Sequence, residues 1–169
     1  MTTNIILLSA IIVSGLLTVF LLNSIVNSRL KGKISDNEHP ITGDIIKAVL
    51  FLCGGLLLGE MVVSFQTMTR VLPSSFKGND LLIKEILYFS IFLGITFLTL
   101  LANIWLSSIM FSVTSKGKSI FMETANNNLN AVIIFCGIAL SLSLAAQSGL
   151  TPLLDQFIPY PKMPVYYRP

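Results

Sequence analysis

Four apolar stretches, each long enough for a helix to cross a bilayer, dominate this sequence. They occupy residues 4–26, 45–65, 82–111 and 129–150, and about 20 apolar helical residues span roughly 30 Å of hydrocarbon. The runs are continuous and do not alternate with period two, which excludes membrane strands. Polar stretches separate them at residues 29–44, 66–80 and 112–128. Each contains lysines, glycines, asparagines or prolines that end helices and face water. The expected fold is an all-α membrane protein of four transmembrane helices. It forms a single membrane domain over residues 1–169, and the lipid bilayer is its first partner.

Composition supports that class. Hydrophobic residues make up 53% and charged residues 11%, against roughly 25% charged in a soluble domain. A surface with so little charge cannot face water. The net charge is +3 and there is no long basic run, so nucleic acid is not an expected partner. Cys53 and Cys136 both lie inside apolar runs and read as small packing residues rather than a disulfide framework. The run at residues 4–26 has no basic residue before it. It is also longer than the apolar core of about 7–15 residues in a secretory signal, and reads as a retained helix.

Basic residues set an expected orientation. Arg29, Lys31, Lys33 and Lys47 surround the first loop, and Lys116 and Lys118 occupy the third. Arg70, Lys77 and Lys84 surround the second, while Lys162 and Arg168 lie in the tail. Positive residues favour the cytoplasmic side, which places loops 28–44 and 112–128 inside and both termini outside. Residues 151–169 hold Pro152, Pro159, Pro161, Pro164 and Pro169 with Tyr160, Tyr166 and Tyr167. So many prolines oppose a continuous helix, and tyrosines suit the headgroup zone. The expectation is an irregular interfacial tail; the alternative is a strap that docks a neighbouring subunit.

The second half echoes the first. Residues 22–28 align with 106–112, Lys31-Gly32-Lys33 with Lys116-Gly117-Lys118, and residues 47–54 with 130–137, where both copies share Ala-Val and Cys-Gly. Two tandem two-helix repeats, about 4–65 and 82–150, are therefore expected. Each has an even number of spans, so a pseudo-twofold axis along the membrane normal would relate them. The copies resemble the bacterial inner-membrane family labelled domain of unknown function 350. The likeness is carried by Asn128 to Ala131 followed by Cys136-Gly137, and by Ala48 and Gly54-Gly55 in the first copy. Ile45 departs from it, standing where the family has asparagine. The resemblance implies a multi-pass protein of the bacterial inner (plasma) membrane. It implies no reaction.

Gly55 and Gly59 form a GxxxG pattern with Gly54 beside it, and Gly137, Ser141 and Ala145 recur every four positions. Ala139 and Ser143 form a second row. Small residues let helices approach closely where lipid supplies no hydrophobic drive between them. The second and fourth spans are thus expected to pack through these rows, within or between subunits. Glu60 is the one carboxylate well inside a span. It is a candidate intramembrane ion or proton site, though a position near the outer end, or pairing with Arg70, would make it ordinary. Lys47 reads as a snorkelling interfacial residue. His39 has no second histidine or cysteine nearby, so no metal site is expected. Ser24, Ser28, Ser108 and Ser112 lie at helix ends without a histidine or a nucleophile elbow. Neither a phosphate loop nor a dinucleotide fingerprint occurs. No catalytic residue and no cofactor are expected.

Two functions follow. The first is a non-enzymatic membrane subunit that assembles with itself, as a homo-oligomer, or with other membrane proteins. It rests on short loops, small-residue helix faces and the absence of any intramembrane polar cluster. The second is a small oligomeric channel or ion-coupled transporter with Glu60, Gln147, Asn103 and the serines along a path.

Overall fold

The computed structural model describes residues 2–31, 41–74 and 76–160. All four apolar runs are helical: α1 (Thr2–Leu30), α2 (Ile41–Val71), α3 (Asn79–Thr114) and α5 (Leu129–Asp155). A 3-10 turn, Leu72–Ser74, prolongs α2, and the short α4 (Ile120–Ala125) precedes α5. All four long helices are apolar and long enough to cross a membrane, so the chain is a multi-pass membrane protein in contact with lipid.

The helices outrun the apolar stretches. α2 has 31 residues and α3 has 36. At about 1.5 Å per residue, these are roughly 46 and 54 Å long, well beyond the hydrocarbon thickness. α5 also passes the expected end at residue 150 and runs through Pro152 to Asp155. A proline there removes only one ladder bond near the helix end, the one that would reach the Ser148 carbonyl. The tail expected from residue 151 is corrected in its first part, since residues 151–155 are helical. Residues 161–169 and 32–40, which include His39, lie outside the described residues.

The turns explain why these residues stand where they do. After α3, the Ser115 N–H bonds to the Phe111 carbonyl and the Gly117 N–H to that of Ser112, each at 2.8 Å. Lys116 and Gly117 take φ values of 53° and 84°. Glycine has no β-carbon to clash in that region, so the Lys-Gly-Lys motif works here as a helix stop. Asn128 caps α5 by accepting from the Ala131 N–H at 3.3 Å.

α2 is the central helix. Its most extensive contact is with α5, and it also packs on α1, α3 and α4. α3 lies against both α5 and α2, whereas α1 lies mainly against α2, so the two hairpins are packed unequally. Matched positions differ too: Leu22 is fully buried and Leu106 is 44% exposed. Cys53, Leu57, Met61, Phe92, Leu100, Phe135 and Ala139 fill the core, while Leu16, Phe20, Leu98 and Trp105 face outward. An apolar exterior around an apolar core is what a bilayer-solvated bundle requires.

Candidate functional site

Glu60 lies on the face of α2 that meets α5. The Gln147 amide donates to its Oε1 at 2.7 Å, and the Thr151 hydroxyl donates to its Oε2 at 2.6 Å. The Ser64 hydroxyl, one turn on, reaches the Thr151 carbonyl at 3.5 Å. Parallel packing of α2 and α5 produces this meeting, because residues four apart share a helix face and the two helices run side by side in the same direction. Arg70 stands about 15 Å along α2 at the helical rise and is solvent-exposed. Among the described residues, no basic group lies within ion-pair distance of Glu60. α2 also continues past residue 65 to Val71, which leaves Glu60 deeper than a helix ending at Phe65 would.

A second polar knot lies nearer the middle of α3. The Asn103 amide donates to the Ser143 hydroxyl and, at 3.4 Å, to the Ala139 carbonyl. Ser107 donates to the Asn103 backbone carbonyl at 2.7 Å and to its side-chain oxygen at 3.4 Å. Asn103, Ser107 and Ser143 are all buried, and such bonds between helices join them in a bilayer. The expectation of no intramembrane polar cluster is therefore corrected, because the spans hold two. Their members are remote in sequence and only folding brings them together. One signal is present in the sequence: Ser143, Gln147 and Thr151 recur every four residues along α5, but the prolines from Pro152 onward assign Thr151 to the tail. Ser24 and Ser28 are exposed, and Ser108 bonds back to the Ile104 carbonyl at 2.9 Å. None of them joins either knot.

The small residues divide sharply. Gly54 is buried, and a β-carbon there would meet Thr18 and Leu22 of α1 and Leu100 of α3. Gly55, Gly59 and Gly137 would meet nothing within 4 Å, and Ser141 and Ala145 are exposed. The second row, Ala139 and Ser143, is instead buried at 1% and 0% exposed, and Ser143 bonds to Cys53 of α2. The GxxxG row and Gly137 therefore meet no neighbouring helix within the single chain. Those residues lie on the outer surface.

At the loop end, Glu123 accepts from the Asn128 amide at 2.5 Å and pairs with Lys118 at 3.2 Å. These partners, Asn128 foremost, hold its carboxyl below the ordinary value against a smaller opposing effect of burial. Thr42 ties α2 to the same corner by donating to the Thr124 carbonyl at 2.9 Å. An open cavity of about 390 Å³ lies beside it, lined by Lys116, Lys118, Glu123, Asn128 and Asn130 among others. Glu123 neutralises Lys118 there, which weakens it as an anion site. Lys47 pairs with Asp44 at 3.5 Å at the start of α2.

No family model, curated protein or solved structure matches this chain, so the resemblance to domain of unknown function 350 identifies no family for it.

Proposed function

We propose that this chain is a non-enzymatic subunit that assembles within the membrane with further copies of itself or with other membrane proteins. The observation that carries the reading is the outward placement of Gly55, Gly59, Gly137, Ser141 and Ala145. Small residues at four-residue spacing have no use against fluid lipid, but they allow another helix to approach closely and gain dispersion contacts. Within this chain the three glycines touch no neighbour that would require them. The reading places loops 28–44 and 112–128 in the cytoplasm, on the evidence of the lysines and arginines. It also treats the hairpins as copies of one ancestor, which the shared Lys-Gly-Lys and Cys-Gly motifs support.

The test is the mass of the particle in mild detergent, measured by light scattering. Gly55→Leu with Gly59→Leu should reduce the assembly to single chains, and so should Gly137→Leu. Open space at these positions means that each chain still folds, so lost assembly is separable from lost fold. Unchanged mass in both variants would refute the proposal.

A further inference from the structure

We infer that Glu60, Gln147 and Thr151 form a binding site for one monovalent cation, a proton or a sodium ion, between α2 and α5. The inference concerns the single chain and stands whether or not the chain assembles. An ionised carboxylate inside the hydrocarbon zone is costly unless a cation compensates it. Among the described residues, two neutral donors reach Glu60 and no basic group stands within ion-pair distance to balance it. Along α2 the nearest charged residues are Lys47 and Arg70, at roughly 20 and 15 Å. α1 carries no charged residue before Arg29, and α3 carries none from Ile86 to Ser115. The other titratable groups on the packed elements are Asp155 at the end of α5, Asp80, Lys84 and Glu85 at the start of α3 and Tyr88 one turn on, and the thiols of Cys53 and Cys136, about two to three turns deeper. The compensating charge must come from solution.

The ligand chemistry fits an exchangeable cation rather than a fixed ion pair. Carboxylate, amide oxygen and hydroxyl are hard oxygen donors, and the hydroxyl of Thr151 can donate to the empty carboxylate or accept when the cation is present. Gln147 can likewise turn its oxygen or its nitrogen toward the site. A second observation marks the way in. Asp155, one turn beyond Thr151 on the same face of α5, has a buried Oδ1 with no hydrogen-bond partner. The row Gln147, Thr151, Asp155 therefore runs from Glu60 to the end of α5, where Asp155 is the last helical residue. It closes on an unfilled acceptor.

Dicyclohexylcarbodiimide, which modifies protonated carboxyl groups in apolar surroundings, tests the inference on the full chain in phosphatidylcholine liposomes. Peptide mass spectrometry should place the adduct on Glu60, and Glu60→Gln should lack it. An adduct that falls several-fold from pH 6 to pH 9 identifies an exchangeable proton. One that falls several-fold when sodium chloride replaces choline chloride at fixed pH identifies sodium. Because the unmodified sequence carries the decisive measurement, misfolding of a variant cannot obscure it. The inference is overturned if Glu60 is not labelled, or if its labelling changes less than twofold with both pH and sodium.

Discussion

A β-carbon added at Gly54 would stand 3.0 Å from Thr18 Cγ2 and 3.3 Å from Leu22 Cδ1. Thr18 cannot easily swing aside, because its hydroxyl is bonded to the Ser14 carbonyl at 2.8 Å and the residue is 3% exposed. Gly54 is thus the glycine through which α1 reaches the central helix. Gly54→Leu should destabilise the chain by about 1–3 kcal/mol, the usual range for overpacking a close contact. It should lower the melting temperature in detergent, while Gly59→Leu leaves the melting of the single chain unchanged. Equal losses in the two variants would mean that they share one environment. The presence of a small-residue motif was legible in the sequence, but its facing was not. A period of 3.6 shows which residues share a side, without showing whether that side meets protein or lipid when both are apolar.

At the level of elements, the four long helices were legible because hydrophobic length is a strong signal in a bilayer. α4 was not. Its six residues are too few to show periodicity, and in the sequence they merge with the polar loop around them. Its function in the fold is to hold Glu123 against Asn128, so that the Asn128 amide donates to Glu123 while its oxygen caps α5. Since the carboxyl of Glu123 is held below its ordinary value, the native state favours its ionised form. That contribution is fully present above the unfolded value, about 4.3, and is lost as pH falls through the lower folded value. Melting temperature measured from pH 6 down to pH 3 should therefore fall in this region, and Glu123→Gln should remove that part of the fall. Parallel decline of both proteins would show that the Glu123 contact contributes nothing.

For the whole molecule, what remained hidden in the sequence was the interior polar chemistry. Glu60 was visible as an isolated charge, but its partners Gln147 and Thr151 lie on α5 and reach it only once α5 packs against α2. Orientation is the property of the whole molecule that the basic residues address, through a modest excess around loops 28–44 and 112–128. The two native thiols are 0% and 8% exposed, so they are poor targets for a polar maleimide and leave a quiet background for introduced cysteines. Asp80, in the first turn of α3, and Ser119, just past its other end, are both exposed. In intact cells, Asp80→Cys should react with a membrane-impermeant maleimide, and Ser119→Cys should react only after the membrane is opened. The reverse pattern would invert the orientation but keep the four spans. Reaction of both in intact cells would be more damaging, since α3 could then no longer be a helix that crosses the bilayer. Its 36 residues would need another solvent for their apolar flank.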